Sequence, residues 1–98
     1  MDIFEFERRL LAEIDDNIVT ATDDQLFAGG YLRGHITLSV AECDIDGRTH
    51  LRDVKSRVNR SLNDAIMAGE LNEADQALVE NFWAYLLNRV EAISTSAS

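Results

Sequence analysis

Apolar residues recur every three to four positions along most of this chain, the period of an α-helix. From about Asp2 to Thr20, the residues Ile3, Phe6, Leu10, Ile14 and Ile18 fall on one side, widened by Phe4 and Leu11. Glu7, Arg8, Glu13, Asp15 and Asp16 occupy the rest of that helix, and Asp2 with Glu5 stands at capping-box spacing. A second helix is predicted over 23–45, introduced by Thr22-Asp23-Asp24-Gln25, a threonine with glutamine three residues on. Its expected core stripe is Phe27, Tyr31, Gly34, Leu38, Ala41 and Ile45, with Leu26, Ile36 and Val40 off that stripe. Because this helix is apolar around much of its girth, it is expected to be the most buried.

The third helix is predicted over 49–68. Leu51, Val54, Val58, Leu62, Ala65 and Ile66 form the cleanest stripe, and Gly69 stands where a left-handed cap belongs. The fourth is predicted over 72–93, with Asn72 as N-cap and Glu73 and Asp75 in the first turn. Short connections favour antiparallel neighbours, so the expected fold is all-α, a single-domain antiparallel four-helix bundle over 1–93 with a frayed tail over 94–98. No stretch reads as a β-hairpin.

Gly29, Gly30 and Gly34 complicate the second helix, since each costs roughly 1 kcal/mol against alanine in a helix interior. Either Gly30, Gly34 and Ala41 admit another backbone, in a continuous or kinked helix, or the helix breaks at Gly29-Gly30. Close packing predicts that Gly34→Ala loses several kcal/mol, and a gain in stability contradicts it.

Composition narrows the function classes. The chain has 18 acidic and 9 basic residues, a formal charge of −9, which opposes non-specific binding to nucleic acid or anionic membrane. Carboxylates stand where a signal peptide needs a basic region, and no apolar run approaches the ~18 residues of a membrane span. With a single cysteine as well, the expected location is the cytoplasm, without membrane contact.

Candidate chemistry is sparse. No Glu-x-x-His pair is present, and His35 and Glu42 stand two helical turns apart. Cys43 lies beside Glu42 and Asp44, anions that suppress a thiolate. Ser39, Ser56 and Ser61 lack a nucleophile-elbow context, and Gly29-Gly30-x-x-x-Gly34 lacks the lysine of a phosphate loop. The expectation is no enzyme, no cofactor and no metal.

Charge is uneven. Arg48, Arg52, Lys55, Arg57 and Arg60 face only Asp53 within positions 48–60, so that window is +4 and the remainder −13. A basic helix could dock an acidic partner or a nucleic-acid backbone. Intramolecular balancing against the first helix, with Asp53–Arg57 and Arg60–Asp64 as i,i+4 pairs, is the competing expectation. The fourth helix is also apolar beyond one face: Val79, Trp83, Leu87 and Val90 do not share a side with Leu78, Phe82, Tyr85 and Leu86. It is either central or an interface, and a symmetric homodimer is the form that interface would take.

Two stretches resemble the YfcL family of small bacterial proteins: Asp23-Asp24-Gln25-Leu26-Phe27-Ala28-Gly29-Gly30-Tyr31-Leu32-Arg33-Gly34-His35, and Ala68-Gly69-Glu70-Leu71 followed by Asp75-Gln76-Ala77-Leu78-Val79 and Trp83. Gly29 departs from the serine associated with that position. The resemblance implies no catalytic or metal residue, but it directs attention to Tyr31, Arg33, Gly34 and His35. Arg33 and His35 lie off the expected stripe, as candidates for binding, unless Arg33 pairs with Asp44 or an acid of the first helix. The expected function is a non-enzymatic protein-interaction or regulatory adaptor for an unidentified protein partner, through Arg33, His35, Arg52, Arg57, Arg60 and Trp83. The alternative is a nucleic-acid- or ribosome-associated accessory protein binding through the third helix.

Overall fold

The computed structural model describes residues 1–16 and 21–97, with side chains through Glu91. Four helices follow in order: α1 (Ile3–Asp16), α2 (Asp23–Ile45), α3 (Leu51–Met67) and α4 (Glu73–Ala97), with no strand among the described residues. The expected reach of the first helix through Ile18 to Thr20 lies outside the described residues. So do the Ile93 side chain and the fraying expected of 94–98; the helical backbone itself runs to Ala97.

Local chemistry sets the boundaries. Asp2 Oδ1 accepts the Glu5 N–H at 2.7 Å at the start of α1. Thr22 and Gln25 form the expected reciprocal box: Gln25 N–H donates to Thr22 Oγ1 at 3.2 Å, and Thr22 N–H donates to Gln25 Oε1 at 3.0 Å. Asn72 Oδ1 accepts the Asp75 N–H at 2.8 Å. α3 begins later than expected, with His50 as its N-cap. Both α2 and α3 end in the same motif, with Gly47 (φ 71°) and Gly69 (φ 78°) in the left-handed region that a Cβ disfavours. Arg48 N–H then reaches back to Cys43 C=O at 2.8 Å, and Glu70 N–H to Ala65 C=O at 3.1 Å.

Cross-helix pairs give the direction of each element. His35–Ser61 and Tyr31–Glu70 run in opposite order along α2 and α3, as Asn59–Trp83 and Lys55–Glu91 do along α3 and α4. α3 therefore runs antiparallel to both α2 and α4, and α2 packs against α1, α3 and α4.

The core contains Phe6 and Leu10 of α1, Leu32, Ile36 and Val40 of α2, Val54 and Val58 of α3, and Val79, Leu86 and Val90 of α4. The expected stripes of α1 and α3 are buried or half-buried, as far as α1 is described, except at Phe4, expected to widen the α1 stripe but 52% exposed. That of α2 is not. Its buried face is Ala28, Gly29, Leu32, Ile36, Ser39, Val40 and Cys43, on roughly the opposite side of the helix at about 100° per residue. Phe27, Leu38 and Ile45 of the expected stripe are 40%, 56% and 82% exposed. The helix offers two apolar faces, so periodicity alone did not select the one that three neighbouring helices cover.

The glycines follow from the same rotation. α2 is unbroken through Gly29-Gly30. The close approach expected at Gly30 and Gly34 is absent: a Cβ built at either meets nothing within 4 Å. The close approach is at Gly29, where a Cβ would stand 3.1 Å from Ile14 Cγ2. Gly30→Ala and Gly34→Ala should therefore each raise stability by about 1 kcal/mol. Gly29→Ala should bring no gain, because Ile14 Cγ2 sits on a β-branched carbon whose rotamer the helix locks. Urea denaturation of dilute protein, followed by Trp83 fluorescence, checks all three; a loss on Gly34→Ala would place a neighbour where the structure has none.

Candidate functional site

The residues singled out by the sequence do not converge on one site. Arg33 Nη1 pairs with Asp15 Oδ1 at 2.7 Å, so its partner is the first-helix acid rather than Asp44. His35 is half-buried between α2 and α3: Nδ1 lies 2.6 Å from Ser61 Oγ, and its ring packs against Tyr31, tilted by 38°, at 4.7 Å between centroids. Tyr31 OH in turn donates to Glu70 Oε1 at 3.4 Å. Both Arg33 and His35 thus hold helices together. Trp83, expected as a surface anchor, is 5% exposed, and its indole N–H donates to Asn59 Oδ1 at 2.9 Å. It belongs to the core because Val79, Trp83, Leu86 and Val90 form the inward side of α4.

The basic window is balanced differently from expectation. Arg57 pairs with Asp46 at 2.9 Å and Glu42 at 3.7 Å, both on the neighbouring end of α2, and not with Asp53 or the first helix. Asp53 instead accepts the His50 N–H at 3.3 Å, a use its place in the first turn of α3 dictates. Lys55 pairs with Glu91. Arg48, Arg52 and Arg60 make no ion pair among the described residues, and the expected Arg60–Asp64 pair is not formed. Arg48, Arg57 and Arg60 line a shallow cavity of about 230 Å³ with Asp53 and Ser56.

Cys43, the single cysteine of the chain, is buried. Burial pushes the Cys43 thiol up; Arg57 opposes this, while Asp53, Asp46 and Glu42 reinforce it. Among the described residues, no group of three or more His, Cys, Asp or Glu is arranged to hold a metal ion, and no helix is long and apolar enough to cross a membrane.

What remains is apolar surface. An open cleft of about 370 Å³ lies between the start of α2 and α4, lined by Asp24, Gln25, Ala28, Leu78, Asn81, Phe82 and Tyr85. Larger in extent is the outer face of α2. Phe27, Gly34, Leu38, Ala41 and Ile45 are all exposed and, with half-buried Tyr31 between the first two, succeed one another at three- and four-residue steps. Sequence reasoning found these residues and assigned them to the core.

Comparison with known proteins agrees with the resemblance read from the two stretches. Residues 4–88 match the family model described as YfcL protein. A protein of Escherichia coli (strain K12), named "Uncharacterized protein YfcL", is 48% identical over 87 residues, covering 89% of this chain and 95% of that one. No solved structure matches significantly. The chain belongs to the YfcL family.

Burial lowers the His35 pKa from its ordinary 6.5, and the Glu70 carboxylate opposes this only partly. As pH falls through 6.5 the unfolded chain takes up that proton before the folded one, so stability falls below that pH. His35→Gln should flatten the stability profile between about pH 7 and pH 5.5, and the parent His35 should titrate below 6.5 by NMR. A midpoint above 6.5 would contradict the buried placement.

Proposed function

We propose that this YfcL-family chain is a non-enzymatic protein-interaction module of the cytoplasm that docks its partner on the outer face of α2. One observation carries the reading. A helix apolar all round is ordinarily buried all round, yet α2 buries one face and leaves Phe27, Leu38 and Ile45 at the surface. The engagement of His35 with Ser61 and the burial of Cys43 support a role without covalent chemistry.

A second reading draws on Arg48, Arg52 and Arg60, which make no ion pair among the described residues: nucleic-acid binding along α3. It has to overcome the −13 of the remaining residues.

Affinity capture from the host tests both. A protein partner retained by the parent chain and by Arg52→Gln, but lost on Leu38→Glu, is the expected result. Leu38 is more than half exposed, so that variant should keep its helical circular dichroism. Equal recovery with Leu38→Glu contradicts the docking face. Retention of RNA that disappears with Arg52→Gln and rising salt would favour the second reading.

A further inference from the structure

Resting on the interaction-module reading, we infer that the occupant of the α2 outer face is a second copy of this chain, laid antiparallel about a twofold axis at the level of Ile36. The face is self-complementary in that register. Gly34 of each copy then lies opposite Leu38 of the other, Ala41 opposite Tyr31, and Phe27 opposite Ile45, so large side chains meet small ones on both sides of the axis.

Charge selects the same direction. Asp23 and Asp24 open α2, and Arg48 follows its end, none of them in an ion pair among the described residues. An antiparallel arrangement sets Asp24 of one copy near Arg48 of the other, twice over. A parallel one would place acid against acid. Opposed helix dipoles add to the preference. A twofold interface uses one patch on both copies, so each favourable contact occurs twice.

The glycines enter as a consequence. Within the chain, Gly30 and Gly34 are open on the side where a Cβ would project, so intrachain packing does not account for their helix cost. Against a second copy, Gly34 is the hollow that receives Leu38. Gly34→Ala should then do two opposite things: raise the stability of the dilute monomer and weaken its association. A residue with only an intrachain role would not show that split.

Sedimentation equilibrium of the full chain from about 1 to about 500 micromolar tests the inference. The expected mass rises reversibly from 11.0 kDa to twice that value. Leu38→Glu should weaken association at least about tenfold, since it removes a buried leucine at two symmetric places. Asp24→Arg and Arg48→Asp should each weaken it, and the combined variant should recover most of the loss. A monomer at every concentration overturns the inference, as does a dimer indifferent to Leu38→Glu and Gly34→Ala. If the chain stays monomeric while Leu38→Glu still abolishes capture of a different protein, the second copy is refuted and the interaction-module reading stands.

Discussion

Leu32, Ile36 and Val40 on the inner side of α2 are the contact on which the other helices depend. All three are almost fully buried, in a helix that packs against α1, α3 and α4. Each buried aliphatic side chain of this kind contributes about 1.5–3 kcal/mol relative to exposure. Their spacing fixes the rotation of α2 about its axis, and that rotation decides the rest. It sets Gly29 against Ile14, turns His35 toward Ser61 and Arg33 toward Asp15, and leaves Phe27, Leu38 and Ile45 facing outward. The exposed apolar face is thus the geometric complement of the buried one.

The polar pairs around this core orient more than they stabilise. Arg33–Asp15 is close to half exposed on both sides, and such pairs contribute about 0–1 kcal/mol. Their value is directional: together with His35–Ser61, Tyr31–Glu70 and Trp83–Asn59, they fix which faces of neighbouring helices meet. The run Tyr31-Leu32-Arg33-Gly34-His35 becomes intelligible in this light. Four of its five residues contact α1, α3 or the core, and Gly34 is the one that faces outward.

Much of the fold was legible in the sequence. The capping residues Thr22, Gln25 and Asn72, the terminating Gly69, and the stripes of α1 and α3 follow from local chemistry and from one-sided amphipathicity. The orientation of α2 was not legible, for a physical reason. The sets Phe27-Leu38-Ile45 and Leu32-Ile36-Val40 are both apolar at helical spacing, and only tertiary packing ranks them. The same limit misplaced Trp83, whose helix is also broad in its apolar surface. It also misplaced the partner of Arg57, because the acids nearest in space, Glu42 in the last turn of α2 and Asp46 just after it, belong to a different element. An inverted helix produced the glycine expectation as well: close packing in α2 is real, but it is at Gly29.

A rotation that buries one apolar face and frees its equal predicts that the freed face meets its own copy in reverse. Pulsed dipolar spectroscopy on an Asp23→Cys chain carrying a nitroxide measures this directly, since buried Cys43 is shielded from labelling. At 1.5 Å per residue, an antiparallel contact at the level of Ile36 separates the two labels by about 40 Å. A separation below about 20 Å would mean parallel helices, and the absence of any dipolar signal at high protein concentration would mean no such pair; either contradicts the account.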